Sequence, residues 1–401
     1  MPAPHSPAFS TGLRTYPAIV KLLTLQQFFE GFVPIMALYA IMFERVGGLS
    51  FSQIGVLFSI WSISYVVAEL PSGVLADYWS RRNVIIIAGL LRAVGLGIWL
   101  LWPGTAGYAV GFALWGLMMG CTSGSVAAYL HNELKVVGEG AKYAKYYGWI
   151  TSAYWLGTLS GFLIAAILTL GHADFLIGLG VFSSLLFSIV LLLHKESPYA
   201  KKDTYIKTML SGLDEIKKSK QLRYLCLVLF SVYMIIGVLE ELLPRLYAAF
   251  GLSDSMVSVA LAVSLLLTVF LIARLESYVH FSILKQVLLM AVGTGLLLIG
   301  LLLGGFAGVV LIVLFSLLFQ LFRPLFQHHV QEAVQGDERA TVGSIPGLAA
   351  GLLGAGAYAV ISAIAEHSSE LWSIAIYGGL WTISLLALAY YGKSYTTPPL
   401  S

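Results

Sequence analysis

The sequence predicts an all-α integral membrane protein with twelve transmembrane helices in two pseudo-symmetric six-helix bundles. Three observations predict it. Of the 401 residues, 58% are hydrophobic and 11% charged, whereas a soluble domain carries about 25% charged residues. Apolar segments of about 20 residues, each long enough to cross a hydrocarbon core of about 30 Å as a helix, recur from end to end. One polar connection divides the chain near its midpoint.

Spans are expected at 17–43, 51–76, 84–102, 107–130, 146–170, 175–193, 222–249, 255–273, 283–303, 307–326, 342–365 and 371–391. The first is too long for the h-region of a signal peptide and no small-residue cleavage site follows, so it is expected to stay in the mature protein. Cytoplasmic loops are enriched in Lys and Arg. With the N-terminus inside, Arg14, Lys21, Arg81, Arg82, Lys135, Lys142, Lys145, Lys285, Arg339 and Lys393 all fall on the cytoplasmic side. Arg45 in the first outer loop and Arg245 near the outer end of the seventh span are the exceptions. Both termini are therefore expected in the cytoplasm, with the protein in a bacterial inner membrane. The net charge of +3 follows from this topology and gives no support for nucleic-acid binding.

In the connection from His194 to Arg223, Ile206, Met209, Leu210, Leu213 and Ile216 recur at helical spacing opposite Lys207, Asp214, Lys217 and Lys218. That pattern reads as an amphipathic helix on the membrane surface. The implied division is 1–194 for the first six-helix bundle, 195–221 for the linker and 222–401 for the second. The halves look like copies: at a constant offset Gly140 falls on Gly336 and Ala144 on Ala340. Parallel repeats of six spans are a known transporter architecture, with binding between the halves near the membrane midplane.

The stretch AELPSGVLADYWSRR, Ala68 to Arg82, holds Glu69, Asp77, Arg81 and Arg82 within about four helical turns, with Pro71 and Gly73 between them. Gly73 and Ala76 let a neighbouring helix come close. Asp77 at the cytoplasmic rim would face the N-terminus of the eleventh span, near Ala340 to Ser344, whose free N–H groups favour an anion by about 0.3–1 kcal/mol. Arg81 and Arg82 can pair with carboxylates on the same surface. The plainer alternative is a charged loop that only sets topology.

GVLADYWSRR, Gly73 to Arg82, resembles the signature between the second and third spans of the major facilitator superfamily, Gly-x-Leu-Ala-Asp-Arg-x-Gly-Arg-Arg/Lys. Tyr78 and Ser80 depart from its usual Arg and Gly. The preceding ELPSG, SGSVAAYLHNEL from Ser123 to Leu134 and DERATVGS from Asp337 to Ser344 are similar to features of one prokaryotic branch. The resemblance covers nearly the whole chain. It implies that Gly73, Asp77, Arg81 and Arg82 form a conformational latch between the halves, so that Asp77→Asn would slow turnover and leave binding largely intact.

Substrate and coupling groups are sought among polar side chains at membrane depth, which are functional by default. Glu30 lies mid-way along the first span, one turn from Gln26 and Gln27 and one turn before Pro34. A charge there costs about 2.5–3.5 kcal/mol on insertion scales. Glu30 is the leading proton or substrate site, with a structural hydrogen bond as the alternative. Glu69 shares a helix face with Asp77 and is either a second titrating group or a partner for Arg92 in the third span. Glu241 and Arg245 have i,i+4 spacing for a local pair, which leaves Glu240 as the freer carboxylate. Arg323 is the strong cation deep in the second half: an anion site, a counter-charge across the cavity, or a snorkel to the surface. His328 and Glu332 also have i,i+4 spacing, but no metal is expected there.

No phosphate-binding Gly-x4-Gly-Lys-Ser/Thr loop exists, and Cys121 and Cys226 lie in different spans without a redox pair. No enzymatic activity and no cofactor are expected, and the energy source is an ion gradient. Drug/proton antiporters of the superfamily carry a Gly-Pro pair in the fifth span. GWITSAYWLGTLSGFLIAA has Gly148, Gly157 and Gly161 without it. Phe28, Phe32, Trp61, Tyr65, Trp115, Tyr154, Trp155 and Tyr358 lie in spans and would suit an amphipathic organic solute if several face the cavity. The expectation is a monomeric secondary transporter of small organic solutes, proton-coupled, with export favoured and membrane lipid and protons as its other partners. An uptake symporter for a nutrient or chelated metal is the first alternative, and a non-transporting receptor or scaffold the second.

Overall fold

The computed structural model describes residues 17–197, 205–274, 281–334 and 339–392. Arg14, Gly336, Asp337 and Lys393 lie outside these residues, as do the side chains of Ile206, Lys207, Arg339 and Ala340, so the readings placed on them stay expectations. Every regular element among the described residues is helical. The N-terminal half contains α1 (Ala18–Gly31), α2 (Tyr39–Arg45), α3 (Phe51–Tyr78), α4 (Arg81–Leu101), α5 (Thr105–Thr122), α6 (Ser125–Val136), α7 (Tyr143–Leu168) and α8 (Ala173–Leu192). After α9 (Tyr205–Lys218) follow α10 (Lys220–Ala249), α11 (Asp254–Ile272), α12 (Ile283–Leu303), α13 (Gly305–Ala333), α14 (Arg339–His367) and α15 (Glu370–Gly392).

Eleven runs are long and apolar enough to cross a membrane, and α5 with α6 counts as one of them. The first span makes the twelfth, broken into α1, a 3-10 turn at Pro34–Ala37 and α2. The break has a local cause. Pro34 has no N–H to donate and pushes Val33 out of the helical region, to φ −129° and ψ 84°, as proline does to the residue before it. The fourth span breaks where Gly124 adopts φ +71°, a left-handed conformation that glycine takes without penalty. The tenth span continues to Ala333, beyond its expected end at 326.

Two hairpin-like connections on the same face of the molecule carry the same chemistry. Gly48-Leu49-Ser50 precedes α3 and Gly251-Leu252-Ser253 precedes α11. Both glycines have positive φ, and each serine accepts from the third backbone N–H beyond it, Gln53 at 3.2 Å and Met256 at 3.3 Å, as N-caps do. Upstream, Glu30-x-x-x-Pro34 and Glu240-x-x-x-Pro244 stand at the matching points of the first and seventh spans. This correspondence is a clearer sign of duplication than the constant offset.

The halves meet where α3 packs on α14, α7 on α11, and α2 on α10. Ser52, Ser59 and Ser62 on one stripe of α3 donate to the carbonyls of Ser362, Ala355 and Gly351 on α14, at 3.3, 2.8 and 2.6 Å. Within the N-terminal half, α1 crosses α7 with backbones nearly touching. A methyl group at Gly31 would lie 2.0 Å from the Tyr154 carbonyl oxygen, and one at Gly157 2.1 Å from that of Phe28. Small residues permit such crossings in membranes. Gly157→Ala is therefore expected to lower stability by about 1–3 kcal/mol through overpacking. Thermal unfolding of the purified protein checks it, and an unchanged midpoint would show that the crossing can relax.

Candidate functional site

The N-terminal half lines a cavity of about 340 Å³ with Gln27, Glu30, Trp61, Tyr65, Thr122 and Ser123, among others. Its floor is the C-terminal end of α1. Glu30 accepts from the amide of Gln26 at 3.2 Å and from that of Gln27, and Thr122 lies within hydrogen-bonding reach. These donors are neutral. Arg92, 2% exposed, does not pair with the Glu30 carboxylate. Its guanidinium spends its donors on the backbone that the break leaves open, Nη1 on the Glu30 carbonyl at 2.6 Å and Nη2 on that of Phe29 at 3.0 Å. Nε bonds Ser184 at 2.8 Å, and Ser183 adds a second donor to the Phe29 carbonyl at 2.6 Å. A cation at the C-terminus of a half-helix is favoured by the helix dipole.

The expected Glu69–Arg92 pair is therefore not formed, because Arg92 is occupied at the α1 break. Glu69 accepts from Ser123 instead, at 2.9 Å. The Glu241–Arg245 pair is not formed either. Arg245 meets Glu44 of the first half at 2.7 Å, accepts no help from its own helix, and donates to both oxygens of Glu370. Glu240 accepts from Gln320 on α13 and has Arg323 as a charged neighbour. Among the described residues Arg323 makes no hydrogen bond to protein. Tyr154 stands within electrostatic reach of Glu30 on one side and Glu240 on the other. Tyr154 is thus influenced by a carboxylate from each half, whereas Glu240 is not among the residues that line the cavity. His328 and Glu332 form a 3.3 Å pair on the exposed end of α13.

At the end of the molecule bearing α9, the motif residues have partners within their own half. Asp77 pairs with Arg81 at 2.8 Å, and Arg81 also donates to the Ala128 carbonyl at 3.2 Å. Arg82 donates to the carbonyls of Leu191 and Leu192 at the end of α8. Glu196, which the sequence did not single out, accepts from the backbone N–H groups of Arg81 and Arg82 at 3.2 and 3.3 Å and so places a negative charge on the N-terminus of α4. Gly73 is half-buried on α3. Of the stretch Ala340 to Ser344 that Asp77 was expected to face, the side chains of Ala340 and Thr341 lie outside the described residues.

The opposite end is closed by ion pairs between halves. Glu44 and Arg45, adjacent at the end of α2, meet Arg245 and Asp254, each at 2.7 Å. Arg245→Gln removes the buried member of this exchange. It is expected to shift the population toward molecules open at this end by about tenfold, corresponding to about 1.4 kcal/mol, read as a longer spin-label distance between α2 and α11. An unchanged distance distribution would assign the closure to the α3–α14 contact alone.

Among aromatics, Trp61 and Tyr65 line the cavity. Phe28 faces a separate lateral groove, whereas Trp115 packs on Tyr39 and Trp99 and Tyr358 bonds the Gly237 carbonyl at 3.0 Å.

Two helical halves built of membrane-spanning helices, with a polar cavity lined by the first half and carboxylates on helices that carry breaks or prolines, fit a membrane transport protein. The profile of the Major Facilitator Superfamily matches residues 22–358, and the chain belongs to that family. It is a transporter of small solutes. Solved structures share the fold: nucleoside transporter NupG at 17% identity and TM-score 0.71, covering 92% of this chain and 98% of that one; a D-xylose–proton symporter at 15% and 0.70, covering 92% and 96%; and peptide transporter POT in complex with sulfate at 14% and 0.73, covering 96% of both. No curated protein sequence matches the chain.

Proposed function

We propose that the protein couples proton movement to transport of small organic solutes by alternating access, with Glu30 as the proton-carrying group. The observation that carries this reading is a cavity-facing carboxyl at a helix break, held by neutral amides and uncancelled by any salt bridge. Binding a proton is the inexpensive way to neutralise such a group at membrane depth. The cavity falls within the about 300–1,000 Å³ typical of small-ligand sites. Its Trp61 and Tyr65 walls beside Gln27 and Thr122 suit an amphipathic solute. A proton-coupled symporter stands among the structural neighbours.

The end bearing α9 and the motif is read as cytoplasmic, on the Lys and Arg bias, in a bacterial inner membrane. The ion pairs at the other end are then read as closing the outer side, and Gly73, Asp77, Arg81 and Arg82 as the latch that engages when the cavity opens outward. Export is the favoured direction. The test uses purified protein in liposomes under an imposed pH gradient with a solute panel pre-selected by thermal shift. Solute movement against its gradient, reversed when the pH gradient is reversed, is expected. Movement indifferent to the pH gradient would end the coupling assignment, and vesicles of both orientations separate export from uptake.

A further inference from the structure

Glu69 belongs neither to the Asp77–Arg81 pair nor to the Glu30 site. It exposes 7% of its surface. Oε1 accepts from the Ser123 hydroxyl at 2.9 Å, and Oε2 is enclosed without any hydrogen-bond partner. Among the described residues no cation from α4, α9 or α14 faces it. Ser123 is its polar neighbour, and the Cys121 thiol of α5 is the other titratable group in reach. An ionised carboxylate so placed carries a penalty of several kcal/mol. A protonated one does not.

Its one partner sits at a pivot. Ser123 ends α5, Gly124 turns the chain with φ +71°, and both line the cavity. Beyond the pivot, α6 carries Glu133, which accepts from the backbone N–H and hydroxyl of Ser197 at 2.7 and 2.9 Å. Ser123, which bonds Glu69, thus also borders the cavity, a space that can admit water.

We propose that Glu69 is a second proton-binding site, protonated in the conformation seen here, whose ionisation turns the fourth span at Gly124. The proton on Oε2 leaves to cavity water, the charge left behind requires hydration, and α6 moves away from α3 to admit it. Reprotonation restores the dry packing. Glu69 acts on the cavity through Ser123 and does not itself contact solute. The site is distinct from Glu30, and its test uses no transport.

Infrared titration of the full chain in lipid reads the C=O stretch of protonated carboxyls. Loss of one such band at neutral pH in Glu69→Gln is expected. Spin labels at positions 135 on α6 and 221 on α10, with both cysteines replaced by alanine, report the movement. Their distance is expected to lengthen as pH rises, to stay fixed in Glu69→Gln, and to keep its pH dependence in Glu30→Gln. An unchanged band in Glu69→Gln, or a pH-dependent distance that survives it, would overturn the proposal. Ser123→Ala, which keeps the carboxyl, is expected to retain the band and displace the midpoint of the distance change.

Discussion

Liposomes carrying Glu30→Gln are expected to lose proton-driven accumulation while continuing to bind solute and exchange it across the membrane. Glutamine keeps the volume of the side chain, and its carbonyl still accepts from Gln26 and Gln27, so the floor of the cavity retains its shape. What it loses is the ability to exist with and without a proton. One proton moving through 100 mV releases about 2.3 kcal/mol, enough for roughly a fifty-fold solute gradient. That gradient is the quantity at stake, and accumulation under an imposed pH gradient should fall to simple equilibration. Exchange of labelled for unlabelled solute without a gradient should persist. Wild-type accumulation in the variant would transfer the coupling function to another group, with Glu240 the first candidate because it stands four positions before a proline at the matching point of the seventh span.

The first and seventh spans show what the sequence could and could not reveal. Glu30, Gln26 and Gln27 were legible because a charge at membrane depth is costly wherever the helices pack. Glu240 was legible as a carboxyl but not as the counterpart of Glu30. From Glu30 to Gly48 is 18 positions and from Glu240 to Gly251 is 11, so no constant offset aligns both the carboxyls and the turns. The difference is taken up by the 3-10 turn and the separate α2. Hydropathy placed most spans within a few residues, the fourth and tenth running further than expected, because apolar length is a property of the segment alone. It could not place the breaks at Val33 and Gly124, which depend on one proline and one glycine inside otherwise apolar runs.

Ion pairs were harder to read, for a different reason. Arg245 and Glu241 satisfy the local spacing rule, yet local pairs contribute only about 0.2–0.5 kcal/mol. At the closed end of the molecule Glu44 and Glu370 offer two carboxylates from other helices, and the longer contacts win. Pairing Arg92 with Glu69, one of the two readings open for Glu69, rests on sign of charge alone. The competing demand came from backbone carbonyls, which carry no sequence signature. Glu196 escaped notice because its function, capping the α4 N-terminus, exists only once the end of α8 lies beside it.

Arg92→Leu is expected to have the largest effect on stability of any single change at the site, about 3–5 kcal/mol, as when one partner of a buried charged network is removed. The guanidinium meets three acceptors and lies 5.6 Å from the Phe187 ring. Leucine would leave the Glu30 carbonyl without its donor at the negative end of the α1 dipole, with Ser183 alone serving Phe29. Lysine restores the charge but not the planar fork, so Arg92→Lys should recover only part of the loss. Thermal unfolding of both variants measures this, and crossing them with Glu30→Gln separates the two functions of Arg92. If Arg92 serves only the broken helix, its loss is equally damaging in both backgrounds. If it also balances the Glu30 charge, Arg92→Leu should be milder once position 30 is neutral, by an interaction energy of about 0.5–3 kcal/mol. Arg92 and the Glu30 carboxylate lie within electrostatic reach of each other without a direct salt bridge, which favours the second outcome.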